Sequence, residues 1–175
     1  MEFDAAAGGV ASLAGCGALA LFVLIVAVSS VVDFRTRRIP NACVLAGACL
    51  WVAARVVLGA CSGSVSAVFA EGMPPWGLTA PDGIVGAAVL GGGVLLATVA
   101  FEALSGRAAM GGGDIKLLAV VGLFLGWERG LACLFAACVV SVAVSFMRRL
   151  AGSPDAATFP FAPAILVGIV AALFL

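Results

Sequence analysis

The stretch LAGCGALALFVLIVAVSSVVDFRTRR, residues 13–38, decides the fold. Residues 13–32 form an apolar run of about the 20 residues a helix needs to cross a hydrocarbon core. The run stops on a carboxylate, Asp33, followed by Arg35, Arg37 and Arg38. It is too long for a strand, and lipid admits only segments that satisfy their own backbone, so it reads as a spanning helix. It does not read as a cleavable leader. Glu2 and Asp4 precede it where a signal peptide would be basic, and no small-residue cleavage site follows.

Further apolar segments lie at 42–58, 84–104, 115–127, 130–147 and 160–175. Segment 115–127 is short, and only Trp127-Glu128-Arg129-Gly130 links it to the next, so those two read as a tight helical hairpin. The sequence therefore predicts an all-α polytopic membrane protein of about six transmembrane helices, with residues 1–175 forming one domain. Composition agrees. Hydrophobic residues make up 64% of the chain and charged residues 10%, against about 25% charged in soluble domains. Mean hydropathy is +1.26. The 23 glycines suit close helix packing in lipid. The longest loop, about 59–83, contains Met73-Pro74-Pro75-Trp76, and its Pro and Gly content argues against regular structure in its second half.

Arg35, Arg37, Arg38, Arg107, Lys116, Arg148 and Arg149 all fall on one side of this threading. The other side holds Arg55 and Arg129 among Glu2, Asp4, Glu71, Asp82 and Glu128. The positive-inside rule puts the basic side in the cytoplasm and both termini outside it, in a cell (inner or plasma) membrane. Net charge is zero, which implies no nucleic-acid partner.

The chain has no His, which excludes Ser-His-Asp and Cys-His catalysis and His-ligated zinc. Its cysteines, Cys16, Cys43, Cys49, Cys61, Cys133 and Cys138, form no CxxC pair and read as small hydrophobes. No metal or other cofactor is expected. The acidic residues on the basic side are Asp33, Glu102, Asp114 and Asp155. Asp155 sits in a polar loop, and Glu102 is placed to pair with Arg107.

Asp33 closes a helix, where a carboxylate faces the unfavourable end of the macrodipole. Read structurally, it would pair with the neighbouring arginines. Asp114 follows Gly111-Gly112-Gly113, and read structurally it would be an N-cap. The glycines permit close approach and positive φ. The short segment behind Asp114 sets it below the membrane surface, where irregular backbone survives only inside protein or beside a watery cavity. Two carboxylates that share such a site do not both ionise. The ionised one takes a proton from water, and the protonated one polarises a carbonyl. That is aspartic-protease chemistry, and because the pair titrates together, acid and base stay unassigned. Intramembrane carboxylates also mark ion paths, so a small proton- or ion-coupled transporter using the same aspartates is the alternative.

Gly111-Gly112-Gly113-Asp114 matches the GxGD signature of membrane aspartic proteases, and Met110 to Leu117 resembles the type IV prepilin peptidases. Asp33-Phe34-Arg35-Thr36-Arg37-Arg38-Ile39-Pro40-Asn41 is similar to that family's first aspartate motif, and Phe159 to Ala164 to the Pro-rich start of its last span. A likeness to presenilin and signal peptide peptidase, through Pro163-Ala164-Ile165, is weaker, because their first aspartate follows a Tyr and this chain has none. The resemblance implies an endopeptidase that removes the leader of prepilins or pseudopilins at the cytoplasmic membrane face. Asp33 and Asp114 would be its catalytic pair. Gly111, Gly112, Gly113, Lys116, Arg38, Pro40 and Asn41 would support them. Larger members carry a CxxC-bearing insert and also N-methylate the product, so the resemblance is to the small protease-only form of tight-adherence (Flp-type) pilus systems.

Overall fold

A computed structural model describes residues 2–36, 39–61, 68, 72, 78–106, 110–151 and 161–174. Five helices make up the fold: α1 (Glu2–Thr36), α2 (Asn41–Cys61), α3 (Ala80–Ser105), α4 (Gly112–Leu150) and α5 (Ala162–Leu173). There is no extended strand among the described residues.

Four stretches are long and apolar enough to cross a membrane: Leu13–Thr36, Asn41–Cys61, Ala80–Ser105 and Gly112–Leu150. The expected count of about six is not reached, for two reasons. Helix α5 is apolar but has 12 residues. The segments 115–127 and 130–147 are two arms of the single element α4, broken at Gly126 (φ 70°, ψ −173°). At 1.5 Å per residue the first arm, Gly112 to Leu125, rises only about 21 Å, short of a hydrocarbon core of about 30 Å. Both arms meet α3 at one level, Ala119 against Gly91 and Gly130 against Leu90, so the chain folds back at Gly126. The break comes just ahead of the expected Trp127–Gly130 link.

Burial follows helical periodicity. On α1 the buried face is Ala18, Phe22, Val26, Ser29, Ser30 and Asp33, while Leu21, Leu24, Val28, Val31 and Phe34 point outward. Ser29 and Ser30 donate to the carbonyls of Ile25 and Val26 one turn back, so neither hydroxyl is left unpaired in the core. The Phe22 and Phe124 rings stack with centroids 4.1 Å apart, joining α1 to α4. Helix α4 packs on α2, α3 and α5, and α1 closes against α2 and α5. The α3–α4 seam is backbone on backbone. A Cβ at Gly86 or Gly122 would run into the other's main chain, which makes glycine obligatory there.

Helix α3 starts at Ala80 with a capping box. The Thr79 N–H and Oγ1 donate to Asp82 Oδ2 (2.9 and 2.6 Å), and the Asp82 N–H donates back to Thr79 Oγ1 (3.4 Å). The end of the expected irregular loop is therefore helical, and the helix widens into a π turn at Ala88–Gly92. Arg55, read from sequence as a stray outer-side cation, is 2% exposed. Its Nε and Nη2 donate to the Val68 carbonyl (2.8 and 2.6 Å), and Nη1 donates to that of Leu78 (3.2 Å).

Candidate active site

The end of α1 and the starts of α2, α4 and α5 meet at one end of the bundle, and each junction is a contact between named residues. Asp33 lies in the last turn of α1, 6% exposed, and its Oδ2 accepts from the Ala162 N–H at the start of α5 (3.4 Å). The partner seen is thus a backbone amide, where the sequence suggested an arginine. Arg37 and Arg38 lie outside the described residues, as do Arg107, the expected partner of Glu102, and Asp155.

Asp114 is not the cap of α4. Gly111 occupies that position in extended conformation (φ −69°, ψ 136°), with no side-chain cap bond. The Gly111 carbonyl accepts from the N–H groups of Asp114 (3.0 Å) and Ile115 (3.4 Å), which closes the first turn. Glycine serves at an N-cap at a cost of only a few tenths of a kcal/mol, so the aspartate is released from that duty. Its Oδ1 is buried and has no hydrogen-bond partner among the described residues. A buried polar atom without a partner costs about 1–3 kcal/mol, which points to a functional reason for keeping it. Asp33 and Asp114 lie within reach of each other's charge. The structure thus brings together the two carboxylates singled out in the sequence.

The glycines before Asp114 supply room, not left-handed backbone. Among the described residues positive φ occurs at Gly106 and Gly126, and not in the triplet. A Cβ at Gly113 would stand 3.1 Å from Ile39 Cβ, and one at Gly111 would stand 3.2 Å from Asp114 Oδ2. Gly112 faces open space. Pro40 offers its carbonyl to the Cys43 N–H (3.0 Å) and so starts α2. The first residue of that helix, Asn41, accepts from Lys116 Nζ (3.3 Å). Ile39 and Ala162 lie in stretches whose likeness was noted, but the sequence reading singled out neither. Ile39 is an ordinary apolar residue, and Ala162 acts through its backbone, so neither carries a side-chain signal. No group of three or more His, Cys, Asp or Glu able to hold a metal occurs among the described residues.

No curated protein and no solved structure matches the chain significantly. The model of the type IV leader peptidase family does match, over residues 20–146, a region that contains both aspartates and the Phe22–Phe124, Ile39–Gly113 and Asn41–Lys116 contacts. With nearly three quarters of its length so matched, the chain belongs to the type IV leader peptidase family.

Proposed function

We propose that the protein is a membrane aspartic endopeptidase of the GxGD type, with Asp33 and Asp114 as its catalytic pair. It removes the leader of a prepilin or pseudopilin at the cytoplasmic face of the cell membrane, and it does not methylate the product. The observation that carries this reading is the placing of two carboxylates from different helices at one end of an apolar bundle, within reach of each other's charge, one nearly fully buried and the other with a buried oxygen that has no partner among the described residues.

The chemistry follows from such a pair. The ionised carboxylate takes a proton from water as the water oxygen bonds to the scissile carbonyl carbon. The protonated one delivers its proton to the carbonyl oxygen, giving a tetrahedral diol. Collapse of the diol breaks the C–N bond, the departing amine receives a proton, and the pair returns to its starting charge. Withdrawal from water strengthens each of these interactions. The carboxylates have only to hold one proton between them, and the helix ends have only to hold the carboxylates.

The test is co-expression with a candidate prepilin, following leader removal by gel shift and N-terminal sequencing. Wild type is run beside Asp33→Asn and Asp114→Asn at matched membrane levels. Cleavage by wild type alone supports the reading, and equal cleavage by all three refutes it. In the transport alternative, proteoliposomes would show ion flux without substrate, lost in Asp114→Asn.

A further inference from the structure

Lys116 stands two residues after Asp114, and a cation so near a carboxylate invites the reading that it tunes the acid. Helix geometry argues otherwise, because side chains at i and i+2 do not face each other. The structure sends the Lys116 ammonium away from α4 to the Asn41 side-chain carbonyl, 75 positions distant in sequence. Asn41 opens α2 just after the short link that follows Asp33. Two residues before Asn41, Ile39 lies against Gly113 so closely that a Cβ added to the glycine would be 3.1 Å from the Ile39 Cβ. Two contacts of different chemistry, one apolar and one polar, therefore fasten the stretch after Asp33 to the turn that carries Asp114.

We propose that Asn41 and Lys116 are positioning residues, forming a strap that holds the Asp33 and Asp114 helix ends at their working separation. The proposal rests on the two-aspartate reading and extends it to residues that touch neither the carboxylates nor the reacting bond. Its force is geometric. The ends of α1 and α4 converge through separate helices, and a misplacement of about 1 Å between reacting groups costs up to about 10²-fold in rate. The strap lies on the exposed rim, where both side chains are accessible, so it closes the site without adding a buried charge.

The experiment uses the full-length protein in detergent or lipid, as wild type, Asn41→Ala, Lys116→Met, the double variant, Asn41→Asp and Asp33→Asn. Leader cleavage is measured with kcat and KM separated, and hydrogen exchange is followed without substrate across residues 39–45 and 112–118. The strap predicts that each single variant loses about tenfold in kcat at unchanged KM. It predicts that the double variant loses no more than the worse single one. Asn41→Asp, which still accepts from the ammonium, should stay within about twofold of wild type. Exchange in both segments should rise in Asn41→Ala, Lys116→Met and the double variant. Losses that multiply in the double variant, an effect confined to KM, or unchanged exchange in the single variants would each overturn the strap. Equal cleavage by wild type and Asp33→Asn would instead sink the two-aspartate reading, and the exchange comparison would still decide whether the strap exists.

Discussion

The Ala162 N–H donates to Asp33 Oδ2 across 3.4 Å, so the first residue of α5 holds the last polar group on the buried face of α1. An asparagine at position 33 keeps an acceptor oxygen for that N–H but cannot hold or release the proton. Asp33→Asn should melt at nearly the wild-type temperature while leader cleavage falls by at least about 10³-fold, the scale of a lost acid–base group. Asp33→Leu leaves the amide unpaired, at a cost of about 1–3 kcal/mol, and should melt lower. Melting in detergent and a cleavage assay on the same preparations check both.

The glycine triplet offers a contrast within one turn. Gly113→Ala places its methyl 3.1 Å from the Ile39 Cβ and should lower cleavage about tenfold. Gly112→Ala meets nothing and sits in helix, so activity should be unchanged and stability should rise by about 0.5–1 kcal/mol. If the two alanines behave alike, the Ile39 contact is not the reason for Gly113.

Gly126 adopts a conformation that is essentially reserved for glycine, and Leu78 fills the space a Cβ would need. Gly126→Ala should destabilise the protein by about 1–3 kcal/mol. The measurement is the melting temperature of the purified variant, and an unshifted melt would show that the reversal of α4 tolerates a side chain.

Arg55 fixes carbonyls of the segment between α2 and α3 with three donors, a fork that lysine cannot reproduce. Arg55→Lys should cost about 1–3 kcal/mol of stability and leave cleavage per folded molecule unchanged, because the contact lies at the end of α2 away from Asn41. A selective loss of kcat in Arg55→Lys at full stability would contradict this.

Much of the architecture was legible because lipid leaves the chain few choices. The apolar runs of α1, α2 and α3 and the aspartates at 33 and 114 stand out wherever charges are scarce. What hid was whatever depends on packing. The reversal at Gly126 is set by a backbone angle that one glycine among 23 does not advertise. The start of α3 was signalled by Thr79-Ala80-Pro81-Asp82, a capping pattern overshadowed by the proline-rich stretch before it. Arg55 counted in the sequence only as a basic residue on the outer side, because the carbonyls that receive it belong to residues 13 and 23 positions away. The N-cap reading of Asp114 failed because Gly111 closes the turn first.

The brevity of the first arm of α4 reaches beyond the protein into the surrounding lipid. Trp127 and Glu128, both exposed just past Gly126, suit the headgroup boundary, and Asp114 lies only about 18 Å along the arm from that break. On the two-aspartate reading, water reaches the carboxylates through a cavity in the bundle, and a bilayer that pinches or helices that lean shorten that path at a cost of a fraction of a kcal/mol per ångström of mismatch. Cleavage is then expected to respond to acyl-chain length. Proteoliposomes of short-chain phospholipid should therefore support faster cleavage than those of long-chain phospholipid at equal protein and substrate.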